Sequence, residues 1–209
     1  RCILTDKQGF VWLGTKAGIS RYDGHELKKY VHSPNNPHSI PNNLIHQIAE
    51  DEMSNIWILT DKGIARYQRQ SDDFFLPTDE KGNPIIAYST CLTKDGVLFG
   101  SKDKVYFYSY RDSSLRLLQK LNKGSNFNIS LLSLWNEHTV LCCSRWQGLA
   151  LLDLKTGKHR LPPFDCGKEI MNMLIDSQNR IWIAPYNEGI KCFTHNGELV
   201  KAYTTHNSD

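Results

Sequence analysis

Apolar runs of four to six residues recur along the whole chain, separated by polar turns rich in Gly, Asp and Asn. The runs fall into groups of four. First members are RCILTD (1–6), HQIAED (46–51), STCLTKD (89–95), LSLWNE (132–137) and MNMLID (171–176). Second members are FVWLGT (10–15), NIWILT (55–60), GVLFGS (96–101), TVLCCS (139–144) and RIWIAP (180–185). Third members are GISRYD (18–23), GIARYQ (63–68), KVYFYS (104–109), GLALLD (148–153) and GIKCFT (189–194). The fourth members, ELKKY, DDFFL, LRLLQ, KHRLP and ELVKAY, are weaker. Several runs are nearly continuous rather than alternating, the pattern of strands covered on both faces.

One mid-strand position carries Trp12, Trp57, Leu98, Leu141 and Trp182, at spacings of 45, 41, 43 and 41 residues. A period of about 40–50 residues with several short strands per unit is the signature of a β-propeller blade. The expected fold is all-β: four-stranded antiparallel blades, five of them, spanning about 1–30, 44–76, 88–118, 131–161 and 171–203. The expectation extends to a partial ring, a fragment of a seven-bladed propeller, whose open blade faces would drive self-association.

The punctuation of the repeat is structural. Asp6, Asp51, Asp95 and Asp176 end first strands, where a carboxylate can accept backbone N–H bonds in a tight turn. Gly9 and Asn179, three residues on, tolerate positive φ, and Ser54 departs from that rule. Thr15, Thr60, Ser101 and Ser144 close second strands. Gly18, Gly63, Gly148 and Gly189 open third strands, with Lys104 the exception. Trp12, Trp57 and Trp182, together with Tyr22 and Tyr67, read as packing between blades.

Composition narrows the chemistry. Hydrophobic and aromatic fractions of 40% and 11% suit a packed β protein. A net charge of +3, with both signs interspersed, gives no footprint for nucleic acid. No run approaches the ~18 apolar residues of a membrane span. The six cysteines show no disulfide framework or zinc spacing and read as small buried apolar groups. The histidines at 25, 32, 38, 46, 138, 159, 195 and 206 are scattered. An innermost-strand column of Cys2, Gln47, Cys91, Ser133 and Asn172 holds no imidazole or carboxylate for a metal. There is no catalytic motif, and no cofactor or metal is expected.

The first repeat, DKQGFVWLGTKAGISRYDG (6–24), resembles the two-component regulator propeller repeat, and DEMSNIWILTDKGIARYQR (51–69) and DSQNRIWIAPYNEGIKCFTH (176–195) follow the same pattern. The crossover YVHSPNNPHSIPNN (30–43) is similar to one in the same family. The resemblance implies the periplasmic sensor part of an inner-membrane hybrid histidine kinase of gut bacteria. Such receptors are homodimers that detect oligosaccharides and control polysaccharide-utilisation genes through a phosphorelay. The membrane would be met only through the parent protein. The resemblance supplies no catalytic residue.

Ligand chemistry is expected where the repeat is broken. The turns between second and third strands are one residue longer in the fourth and fifth copies. They carry Arg145, Trp146 and Gln147, and Tyr186, Asn187 and Glu188. A ring beside amides and charges suits a sugar, whose C–H face packs on the ring while its hydroxyls take hydrogen bonds. Arg145 would also suit an acidic or sulfated sugar. Two other readings stay open: a propeller lyase or glycoside hydrolase, which needs paired carboxylates or a metal in one cleft, and a scaffold for protein partners.

Overall fold

The computed structural model describes residues 1–121, 127–167 and 169–204. His206, and parts of the crossovers at 119–128 and 161–169, lie outside the described residues. Those described form twenty strands and no helix.

Each group of four runs becomes one antiparallel sheet, meandering in sequence order. Blade 1 comprises β1 (Cys2–Thr5), β2 (Val11–Gly14), β3 (Ile19–Tyr22) and β4 (Leu27–Tyr30). Blade 2 comprises β5 (Ile45–Glu50), β6 (Ile56–Thr60), β7 (Gly63–Gln68) and β8 (Asp73–Phe75). Blade 3 comprises β9 (Ser89–Thr93), β10 (Gly96–Ser101), β11 (Lys104–Ser109) and β12 (Leu115–Lys120). Blade 4 comprises β13 (Ile129–Asn136), β14 (Thr139–Ser144), β15 (Gly148–Asp153) and β16 (His159–Arg160). Blade 5 comprises β17 (Ile170–Ile175), β18 (Ile181–Pro185), β19 (Ile190–Phe193) and β20 (Leu199–Tyr203). These are the four-stranded blades of a β-propeller. Two compact units divide them: residues 1–101 with 106–117, and residues 102–105 with 118–209.

The first unit is held by an interlock that the repeat encodes twice. Trp12 lies opposite Arg21 across β2 and β3, and Trp57 lies opposite Arg66 across β6 and β7. Tyr67 of blade 2 packs edge-on against Trp12, ring centres 4.9 Å apart, and its hydroxyl accepts a bond from Arg21. Tyr108 of blade 3 repeats this on Trp57 at 4.8 Å, with Arg66 donating to its hydroxyl at 2.6 Å. Each fully buried indole is worth roughly 3–5 kcal/mol against truncation to Ala.

In the second unit all three interlock positions change together. Blade 4 carries Leu141 opposite Leu151, and blade 5 carries Phe193 in the tyrosine position. Losing the guanidinium would strand a buried tyrosine hydroxyl, and Phe removes that hydroxyl. A polar interlock has become an apolar one with no orphaned donor.

The turn chemistry follows the repeat more closely than its sequence suggests. Ser54 adopts the same left-handed conformation as Gly9 and Asn179, with φ of 61°, 89° and 57°. Thr15 and Thr60 each donate a hydroxyl bond to the carbonyl of the glycine opening the third strand, at 2.8 and 2.7 Å. Their turns enclose two residues. In blade 4, Ser144 pairs with Gly148 around three residues, and its buried hydroxyl finds no partner among the described residues.

Three sequence readings are corrected. Asp95 does not end a strand in the Asp6 manner: it sits in a two-residue hairpin between Thr93 and Gly96, only three residues before Leu98. Tyr22 is not packed like Tyr67; it is 40% exposed, its hydroxyl on the Gly24 carbonyl. The innermost column is not one register line. Cys2, Gln47 and Asn172 pair two residues beyond the tryptophan position, whereas Cys91 and Ser133 pair with that position itself. The short hairpins of blades 3 and 4 shift the alignment, and Ser89 and Leu131 hold the matching places.

Candidate functional site

The first-strand aspartates of blades 1, 2 and 5 are occupied internally. Trp12, Trp57 and Trp182 each donate the indole N–H to the aspartate six residues earlier, at 3.0, 2.7 and 2.8 Å. The other carboxylate oxygen of Asp6 accepts the backbone N–H groups of Gln8 and Phe10. Arg69 of blade 2 also reaches Asp6, at 3.0 Å. Burial works to raise the Asp6 pKa, but the bonds from Trp12 and Arg69 outweigh it and hold it below the usual range. A carboxylate so committed cannot serve a ligand.

A second carboxylate, Asp72, is bonded by Lys28, Tyr30 and Tyr67 and paired with Arg21 at 3.1 Å. Desolvation opposes its charge, yet those bonds win and hold it at about 2. It is a structural cross-link of blades 1 and 2. A cavity of about 460 Å3 lies between the turn after the first strand of blade 2 and the end of its third, walled by Met53, Asn55, Arg66, Gln68, Arg69 and Ser71. Its two cations are committed within the fold, Arg69 to Asp6 and Arg66 to the Tyr108 hydroxyl.

The expected turns lie in the second unit and share one support. The crossover from blade 4 to blade 5 runs alongside both. Ile170 N–H donates to the Arg145 carbonyl at 2.9 Å, and Tyr186 N–H donates to the Glu169 carbonyl at 2.7 Å. Any Cβ on Gly148 would come within 3.3 Å of the Gly167 carbonyl, and one on Gly167 within 3.3 Å of the Glu188 carboxylate. Gly148 (φ 76°) and Gly167 (φ 75°) thus allow turn, crossover and turn to close up.

The crossover is anchored by rings. Phe164 stacks on Phe193 with centres 4.6 Å apart and on Trp135 at 6.3 Å. Beside it opens a cavity of about 680 Å3, walled by Gln147, Leu161, Pro163, Phe164, Asp165 and Cys166. Burial pushes the Cys166 thiol pKa up, and that of Cys143 up to about 12, so neither is a nucleophile at neutral pH.

Of the six expected residues, Gln147 lines this cavity, and Trp146 and Tyr186 do not. The two rings stand out to solvent, 62% and 53% exposed. The Arg145 guanidinium lies 5.1 Å from the centre of the Trp146 ring. Asn187 takes a left-handed φ of 58°, and Glu188 is paired with Lys191 at 2.5 Å. The result is a strip on the surface of the second unit: two exposed rings, amides at Gln147 and Asn187, and a largely apolar cavity between crossover and turn. Sequence reasoning missed Leu161, Pro163 and Phe164. Their signal was the LPPF run (161–164), apolar residues in a connection otherwise polar.

One further polar cluster is a pair. His46 meets Asp61 at 2.5 Å and the Tyr88 ring edge-on at 5.7 Å. Among the described residues no group of three His, Cys, Asp or Glu side chains could hold a metal.

Comparison with known proteins adds a fold. No family model matches the chain, and no curated protein matches it. Solved structures do. The extracellular domain of a B. thetaiotaomicron protein designated a one-component system aligns with TM-score 0.76 and 17% identity over 97% of this chain. A B. thetaiotaomicron domain designated part of a hybrid two-component system aligns at 0.72 and 18% over 97% of this chain. The chain spans 31% and 28% of those two structures. PorZ, a surface component of the Porphyromonas gingivalis type-IX secretion system, aligns at 0.69 and 15% over 98% of this chain and 33% of its own. A computationally designed protein, Ika8, aligns at 0.66 and 13% over 96% of this chain and 60% of its own. A fold common to extracellular domains of one- and two-component systems, a secretion component and a design specifies no activity by itself. By fold, the chain is a β-propeller of the kind found in the extracellular domains of B. thetaiotaomicron two-component systems.

Proposed function

We propose that the chain is a non-enzymatic, extracytoplasmic ligand-binding propeller of a hybrid two-component sensor, and that its ligand is an oligosaccharide. The observation that carries this is the strip of the second unit. Trp146 and Tyr186 are exposed rings on two turns tied by backbone bonds to one crossover, with Gln147 and Asn187 beside them. Rigidly mounted aromatic faces with flanking amides are what a sugar requires: ring-to-C–H packing and directional hydroxyl bonds. The likeness to extracellular sensor domains supports the setting, and the repeat motif supports a histidine-kinase parent that controls genes for polysaccharide use. Full-length receptors of this kind would act as homodimers, and the ligand would shift signalling by the difference in its affinity for two arrangements.

Calorimetric titration of the chain with a panel of neutral, uronate-containing and sulfated oligosaccharides tests the reading. Saturable binding of one class is expected, at least tenfold weaker in Trp146→Ala. No heat with any member refutes it. Turnover of any member would favour a carbohydrate-active enzyme instead.

A further inference from the structure

The crossover from blade 4 to blade 5 is clamped at both ends. At one end Gly148 and Gly167 let the blade 4 turn close on it. At the other, the turn between β19 and β20 presses on Pro163: a Cβ on Gly197 would meet the Pro163 carbonyl at 2.7 Å. Between the clamps Phe164 is stacked nearly parallel to Phe193 and Trp135, at 18° and 21°. Pro162 and Pro163 fix their own backbone φ. The cavity of about 680 Å3 beside this crossover therefore has a preformed wall.

That wall is mostly apolar. Among the described residues it presents Leu149, Leu161, Pro162, Pro163, Phe164 and Cys166, with Gln147 and Asp165 as its amide and its carboxylate. Sugar hydroxyls buried against such a surface would lack partners, which costs binding energy. An uncharged apolar group suits it. The volume lies within the roughly 300–1,000 Å3 of small-molecule sites. An acetyl group would leave most of it empty and forfeit dispersion contacts. An aryl ring fills more, packs its faces on the aliphatic C–H groups of leucine and proline, and loses little conformational freedom on binding. The Cys166 sulfur suits a ring edge. Asp165 uses one oxygen on the Gly167 N–H at 3.0 Å. Its carboxylate disfavours an anionic group and can accept a bond from a phenolic hydroxyl.

We infer that this cavity is a subsite for an aryl ester, and that the ligand is an oligosaccharide esterified with a phenolic aromatic acid. The inference rests on the sugar reading proposed above. Gln147 follows Trp146 on one turn and lines the cavity, so the same turn serves both parts. Trp146 packs the sugar, the cavity takes the aryl group, and Asp165 receives its hydroxyl.

The test is calorimetric titration of the chain with an oligosaccharide panel in three forms: free, monoacetylated and monoferuloylated. For a member that binds, the feruloyl form should bind at least tenfold more tightly than the other two. Leu161→Glu should erase that gap. Leu161 is 68% exposed, so this substitution probes the cavity and not the fold. Trp146→Ala should weaken all three forms by one factor and preserve the gap. Equal binding of the free and feruloyl forms would overturn the inference and leave the sugar reading standing. An acetyl form as tight as the feruloyl form, or a gap that survives Leu161→Glu, would overturn it as well. No binding of any form would refute the sugar reading itself, and the inference with it.

Discussion

Asp51 and Trp57 form the tightest expression of the repeat: the indole Nε1 donates to Oδ2 at 2.7 Å, with both residues fully buried. Asn55 holds the same carboxylate with its backbone N–H and its side-chain amide. The motif places the acid six residues before the tryptophan because one hairpin brings these two positions together. Asp51→Ala should cost about 1–3 kcal/mol, since it leaves a buried indole donor unpaired. A double-mutant cycle with Trp57→Phe should give a coupling of about 1–3 kcal/mol in urea unfolding. Additive losses would mean that the bond contributes nothing.

Ser54 bears a backbone conformation that its repeat partners assign to Gly9 and Asn179. Ser54→Gly should stabilise the first unit by about 0.5 kcal/mol, relief of left-handed strain exceeding the added chain entropy. Gly9→Ala should cost about 1 kcal/mol from backbone strain alone, because nothing lies within 4 Å of the added Cβ. Paired denaturation midpoints test the opposite signs.

The hydroxyls of Thr60 and Ser144 occupy one repeat position with opposite standing. Thr60 bonds the Gly63 carbonyl, whereas Ser144 has no partner among the described residues. Thr60→Val should cost about 1–2 kcal/mol, and Ser144→Ala should be neutral or stabilising. Equal losses in thermal unfolding would contradict the turn geometry.

Asp72 makes the first unit acid-sensitive. Its folded pKa of about 2 lies below the ordinary 3.8. Its contribution is therefore complete above about pH 5 and fades as pH falls toward 2. Asp6, also depressed, acts in the same direction. Asp72→Asn should lower stability at neutral pH and flatten the decline between about pH 5 and 2. An unchanged slope in pH-dependent melting would show that Asp72 does not carry it.

Much of the fold was legible because propeller strands announce themselves by period and by apolar runs. All twenty strands sit where a run predicted one, and the lengthened turns at 145–147 and 186–188 were readable as single insertions. The aspartate–tryptophan bond was not read, since a strand pattern reports burial and not where an indole N–H points. Compensation at Leu141, Leu151 and Phe193 was equally hidden: each looks like ordinary degeneracy until register aligns them. The candidate site was half legible. Exposed rings in broken turns stood out, but the crossover that joins those turns is defined by backbone bonds with no sequence signature.

The proposed recognition site makes its sharpest prediction at a single indole. The chain has tryptophans at 12, 57, 135, 146 and 182, and three of their N–H groups are committed to aspartates. In 15N-correlated NMR spectra of the tryptophan indoles during titration with a binding oligosaccharide, the Trp146 signal should move and saturate, while those of Trp12 and Trp57 stay fixed. Saturable binding that leaves Trp146 unmoved would place the ligand elsewhere and contradict the site.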